Sequence, residues 1–124
     1  MHSTLQAAFA AEIRSAELAM TGDDLGTAFA HLERAHVLGQ WHVVPHVRAH
    51  LGMLRIGWRR RDAREILGQL LRIPGALIGT AIGRVPRGNT GGSDVSAFRV
   101  MPIPAELRSL LQSDERSSRH MGDY

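Results

Sequence analysis

The 124-residue chain contains no cysteine and no lysine. Without cysteine, a disulfide framework, a zinc-thiolate site, an iron–sulfur cluster and a cysteine nucleophile are all excluded. Any metal must be held by nitrogen, oxygen or thioether ligands. Without lysine, every one of the fifteen basic residues is an arginine, and the net charge is only +3 with histidines neutral. So small an excess does not argue for nucleic-acid binding. The arginine run WRRRDAR at 58–64 is a local basic cluster that could meet phosphate or an acidic partner, but such a run more often forms a solvated helix face. A basic leader, an unbroken apolar stretch and a cleavage site are lacking at the start, where Glu12, Arg14 and Glu17 recur at helical spacing, so cytoplasmic residence is the expectation. ALIGTAIG at 76–83 is too short, with Gln69, Arg72 and Arg84 too near, for a membrane span. No serine sits in a nucleophile elbow, so hydrolysis would have to run through metal-bound water.

What is present is helical periodicity over a length suited to one domain. Leu5, Ala8, Phe9, Glu12, Ile13, Ala16 and Met20 recur at three- and four-residue steps and predict a first helix over about 3–20. Thr21-Gly22-Asp23 breaks the pattern and caps a second helix over about 24–38, stopped by Gly39. A third helix is predicted from Val43, with Pro45 in its first turn, to Leu54, and Gly57 closes it. A fourth covers about 60–73, where Pro74 and Gly75 kink or end it. The expected organisation is a helical region over 1–84 and a loop-rich C-terminal extension over 85–124 packed on it, ending in a short helix at 105–112.

Aligning Gly22 with Gly57 takes Ala28 to Ala63 and Leu32 to Leu67, a period near 34 with small residues at packing points. GDDLGTAFAHLERAHVL resembles the second half of a tetratricopeptide repeat. The first-helix aromatic signature is missing, so the resemblance implies an all-α architecture of two tetratricopeptide-like helical hairpins and no peptide-binding function.

Four of the seven histidines fall within HVLGQWHVVPHVRAH at 36–50. His42, His46 and His50 are four apart and would project from one side of a helix. Glu33 and His36 form an E-x-x-H pair on the preceding helix, the type used in helical carboxylate di-metal sites. Glu33, His36, His46 and His50 are therefore candidate ligands at one point between two helices, with Glu12 and Glu65 or Gln69 completing the shell and His42, Gln40 and Met53 as secondary candidates. Imidazole and carboxylate bind iron, copper, zinc, nickel and manganese, and copper, iron or zinc is the cofactor expected. A di-metal site would need two E-x-x-H pairs and one is present, so a mononuclear histidine site stands equally. The competing reading is a buried polar network without metal, in an interaction module that meets a protein partner or a second copy of the chain. Met53 reads more simply as core filler.

The remaining third, RVPRGNTGGSDVSAFRVMPIPAEL, holds most of the loop signals. The turn at 88–92, flanked by Arg84 and Arg87, offers a weak anion-binding reading through Arg84, Arg87 and Asn89. A tight structural turn explains the glycines better, since positive φ angles call for them. The tail SDERSSRHMGDY is expected to fray, leaving His120, like His2, a poor ligand. HLERAHVLGQ at 31–40, PHVRAHLGMLRIGWRRRDAREILGQLLRI at 45–73 and VPRGNTGGSDVSAFRVMPIP at 85–104 together resemble the bacterial domain-of-unknown-function family 3703 over nearly the whole chain. That resemblance implies a compact helical, cytoplasmic bacterial protein and nothing about substrate. Metal handling or an oxidative metalloenzyme is the function expected from the histidines.

Overall fold

The structure is a computed structural model that describes residues 1–121, with side chains described through residue 119. Those residues are all-α, with no strand: α1 is Ser3–Thr21, α2 Leu25–Gly39, α3 Val43–Arg60, α4 Ala63–Ala81 and α5 Ala105–Met121. Neighbours in the chain are neighbours in space, α1 on α2, α2 on α3 and α3 on α4, while α5 returns to α1 and α2.

Each hairpin turn is made the same way. Asp23 and Arg61 take left-handed φ angles of 57° and 53°, and the next residue caps the following helix: Asp24 accepts from the Thr27 N–H at 3.3 Å and Asp62 from the Glu65 N–H at 3.2 Å. These caps are thirty-eight positions apart, which corrects the alignment of Gly22 with Gly57. Gly57 lies inside α3, which runs on to Arg60. A β-carbon there would stand 3.1–3.2 Å from the Glu65 side chain, so this glycine serves a close approach of α3 to α4. Pro74 does not end α4 either. It and Leu70, whose carbonyl loses its donor, are both exposed, where water can replace the missing bond. The apolar piece 76–81 thereby extends the helix. The final helix also runs well past 112, and the part of the tail expected to fray is helical to Met121; the His120 side chain lies outside the described ones.

Leu5, Phe9, Ile13, Ala16 and Met20 of α1 meet Ala28, Leu32, Ala35 and Leu38 of α2, with Met53 and Ile56 of α3 and Ile103, Leu107 and Leu111 closing one core. Each large side chain there stabilises the fold by about 1.5–3 kcal/mol through burial. The fourth helix departs from this pattern: its buried residues are Glu65, Gln69 and Ala76, while Leu67, Leu70, Leu71, Leu77 and Ile78 are each more than half exposed. Among the described residues no helix is long and apolar enough to cross a membrane.

Candidate metal centre

Three imidazoles meet where α2, α3 and the 84–104 segment come together. His36 is in the last turn of α2, and His46 and His50 lie one turn apart on α3. All three are buried. The Nε2 of His36 stands 2.9 Å from the Nε2 of His46 and 3.0 Å from that of His50. Among the described residues these three form the one group of ligand-type side chains whose donor atoms all lie within 4.8 Å of one another.

The opposite nitrogen of each ring is held by an oxygen. His36 Nδ1 donates to the Asn89 carbonyl at 2.6 Å, and a carbonyl can only accept. His50 Nδ1 donates to Gln69 Oε1 at 2.6 Å. The Gln69 amide cannot be turned round, because its Nε2 donates to Glu65 Oε1 at 2.8 Å and to the Gly91 carbonyl at 2.9 Å. His46 Nδ1 faces Thr80 Oγ1 at 2.7 Å, and that hydroxyl gives its own proton to the Gln40 carbonyl at 3.2 Å, so it accepts from the ring. With every Nδ1 protonated, each neutral ring presents an Nε2 lone pair, and the three lone pairs converge.

Protons do not resolve that convergence at neutral pH. Burial pushes the pKa of His46 and of His50 down to about 4, and for His46 the neighbouring His50 adds to it. Burial likewise holds His36 well below its ordinary value, with His50 and His46 contributing. All three are neutral at pH 7.

The 84–104 segment is a clasp over these rings. Gly91, at φ 86°, lies so close to His36 that a β-carbon would come within 2.6–2.8 Å of its ring. Asn89 Oδ1 accepts from the Gly91 N–H at 2.9 Å, and its Nδ2 donates to the Ser96 and Arg99 carbonyls at 2.8 and 2.7 Å. The Gly88 N–H donates to Gln40 Oε1 at 2.7 Å. Asn89 and the Gly88 and Gly91 amides are committed within the protein, so of the groups expected to meet an anion only the two arginines stay open. Arg84 and Arg87 are exposed beside the turn.

Of the expected ligands, the structure brings together His36, His46 and His50 and places the carboxylates elsewhere. Glu12 binds His31 at 2.7 Å and the Arg34 guanidinium at 2.9 Å. Glu33 shares α2 with His36 but stays out of the cluster; burial and then the charge of Asp94 raise its carboxyl pKa. Glu65 lies behind Gln69 and also accepts from the Ser93 N–H at 3.0 Å. The E-x-x-H spacing thus contributes one member of the cluster. His42 does not continue the stripe of His46 and His50, because it is the extended N-cap of α3 and turns to Asp114 at 3.3 Å. Gln40 braces the clasp through the Pro86 carbonyl and Gly88. Met53 is in the core, its sulfur accepting from Gln69 Nε2 at 3.4 Å. Thr80, which orients His46, was not among the candidates. Its one signal in the sequence is that it is the lone polar side chain in ALIGTAIG.

A cavity of about 370 Å³ opens directly onto the three rings. Leu71, Ala76, Val85, Pro86, Ala97 and Phe98 wall it, with Arg72 and Arg84 among its lining and no carboxylate. Arg72 is fixed by its Nη2 donating to the Val95 carbonyl at 2.9 Å.

The family described as protein of unknown function, DUF3703, matches residues 3–111, and the chain belongs to it. No curated protein and no solved structure matches the chain.

Proposed function

We propose that the protein binds one first-row transition-metal ion through the Nε2 atoms of His36, His46 and His50. One observation carries this reading: the neutral Nε2 lone pair of His36 faces those of His46 and His50 at 2.9 and 3.0 Å, all three ligand atoms lie within 4.8 Å of one another, and each ring is locked in that tautomer by an oxygen on its far side. Lone pairs at such a separation repel unless a cation lies among them. Two nitrogens each about 2.1 Å from one ion stand about 3.0 Å apart when they subtend roughly a right angle at it. The oxygens on Nδ1 are the outer partners that orient metal-binding histidines and raise their basicity. Imidazole donors without thiolate or carboxylate suit copper, iron or zinc. Three protein ligands beside a cavity leave the ion an open position, as in sites where metals act on bound molecules rather than only brace a fold.

The test is elemental analysis of untagged protein beside a His46→Ala/His50→Ala variant, with circular dichroism on both. Near-stoichiometric metal in the parent and none in a folded variant is the expected result. No metal in the parent after reconstitution with copper, iron and zinc would overturn the reading and leave a polar network in a helical scaffold.

A second reading concerns α4, whose outward rows hold Leu67, Leu70, Leu71, Leu77 and Ile78, each more than half exposed, and clustered exposed apolar side chains of this kind commonly mark interaction surfaces. We propose a second copy of the chain as its occupant. The same rows on two α4 helices make the self-complementary patch of a two-fold dimer, and none of the rows' side chains carries a charge. A tetratricopeptide-like stacking of the two hairpins, as expected from the sequence, would suit this role, since the end of a helical stack needs either a polar cap or a partner.

A further inference from the structure

We infer that the cavity above the histidines binds a small organic anion, a monocarboxylate with an apolar body, whose carboxylate completes the coordination of the ion. The inference rests on the metal reading above and goes beyond it by naming what takes the open position. Charge supplies the first argument. Three neutral imidazoles leave the charge of a bound cation uncompensated, and the cavity adds Arg72 and Arg84 but no acidic side chain. The nearest carboxylate along the hydrogen bonds, Glu65, is separated from His50 by the Gln69 amide and is engaged by Gln69 and Ser93. An anion is the ligand that such a field recruits.

The walls supply the second argument. Leu71, Ala76, Val85, Pro86, Ala97 and Phe98 give the space above the rings an apolar lining, and a bare inorganic anion would leave that lining unfilled. About 370 Å³ lies at the small end of ligand pockets, which run roughly 300–1,000 Å³. A body the size of a phenyl ring fits that scale. Phe98 is 89 % exposed and stands at the cavity, so it has room to close on such a ring, and Arg84, in the lining of the same cavity, adds positive charge that favours an anion within it.

Protein loaded with Co²⁺ tests this, because the visible spectrum of the ion reports what enters its coordination shell. Benzoate should change the spectrum and saturate at a concentration at least tenfold below acetate, with benzyl alcohol inert. Arg84→Ala should weaken benzoate about three- to tenfold, and Ala97→Phe, which fills the cavity, should abolish the response while Co²⁺ uptake and circular dichroism stay as in the parent. Cobalt taken up with a spectrum indifferent to benzoate overturns this inference and leaves the metal reading standing. Inorganic phosphate or benzyl alcohol acting as strongly as benzoate overturns it too, by removing the need for the apolar body or for the charge. Failure to take up cobalt at all overturns the metal reading, and this inference with it.

Discussion

Between α1 and α2 the facing side chains are Leu5, Phe9, Ile13, Ala16 and Met20 against Ala28, Leu32 and Ala35, with polar groups such as Arg14 and Glu17 outside. Between α3 and α4 the buried set includes His46, His50, Glu65 and Gln69, and it is the leucines of α4 that face out. The two turns share one construction, yet the chemistry of the two seams is opposite. A polar seam costs stability unless each group finds a partner, and here the partners are supplied from the 84–104 segment: Asn89 O for His36, Gly91 O for Gln69, and the Ser93 N–H for Glu65. The first hairpin is held by a buried apolar seam with the contacts of Glu12 to His31 and Arg34 at its edge, whereas the second is a site that a clasp makes tolerable.

The largest break in that comparison comes from the apolar side. Phe9→Ala removes a buried ring from the first seam and should cost about 3–5 kcal/mol, measured by urea unfolding, while the folded fraction keeps the metal stoichiometry of the parent. A loss of metal equal to that in His46→Ala/His50→Ala would show that the two seams are not separable. Next in size is Gln69→Leu, which deprives His50 Nδ1 of its acceptor and strips Glu65 and the Gly91 carbonyl of their donor. Metal affinity should fall 10–100-fold, as when an outer-shell partner is lost, and stability by about 1–3 kcal/mol for the buried groups left unpaired. Competition with a metal-binding dye gives the first number and urea unfolding the second.

The same contrast explains what the sequence made legible. The starts of α1, α2 and α3 and the core stripe of α1 follow from periodicity and local breakers, which are local properties of the chain. The caps themselves fall at Asp24, just past the Thr21-Gly22-Asp23 break, and at Asp62, two residues past the expected start of the fourth helix. The ends of α3, α4 and α5 do not follow from such local properties. Gly57 and Pro74 look like stops by local propensity, but one is required by the contact with Glu65 and the other stands where water can serve the orphaned carbonyl. In the site, the i, i+4 spacing of His46 and His50 was readable because it lies on one helix. The companion carboxylates were misassigned because helical spacing says which face a residue shares and not who waits opposite: Arg34 and His31 claim Glu12. The acceptors that fix the tautomers, Thr80 and the Asn89 carbonyl, come from 34 and 53 residues away, and one is backbone, which carries no sequence signal at all.

Acid sharpens the comparison. In the folded, metal-free protein His46 and His50 have pKa values of about 4, against about 6.5 in the unfolded chain. Between these values the unfolded state binds more protons, so their neutral burial is tolerated fully above about pH 6.5 and stability is lost as pH falls toward 4. The expected loss is on the order of a few kcal/mol. In the first hairpin, burial works to raise the Glu12 carboxyl, but Arg34 and His31 outweigh it and hold it below its ordinary range. Its contribution persists until pH falls into the carboxylate range. Urea unfolding of metal-free protein at pH 7, 5.5 and 4.5 should therefore show most of the decline before Glu12 titrates, and His50→Gln should flatten that slope. An unchanged slope in the variant would remove His50 as a source of the acid sensitivity.

The smallest effect on stability belongs to the outward rows of α4. Leu67 is 62 % exposed and lies outside the cavity lining, and Leu67→Glu replaces a side chain that the protomer leaves largely uncovered. Stability of the monomer should change by no more than about 0.5 kcal/mol, as for surface substitutions elsewhere. Self-association is what should respond: sedimentation of the parent should show a concentration-dependent dimer, and Leu67→Glu/Ile78→Glu should sediment as a monomer across the same range. A parent that is monomeric throughout would remove the second copy from this face. A monomeric variant that still takes up metal would separate the two sides of α4, because its buried edge, through Gln69 and Glu65, belongs to the site, and its exposed edge belongs to the neighbour.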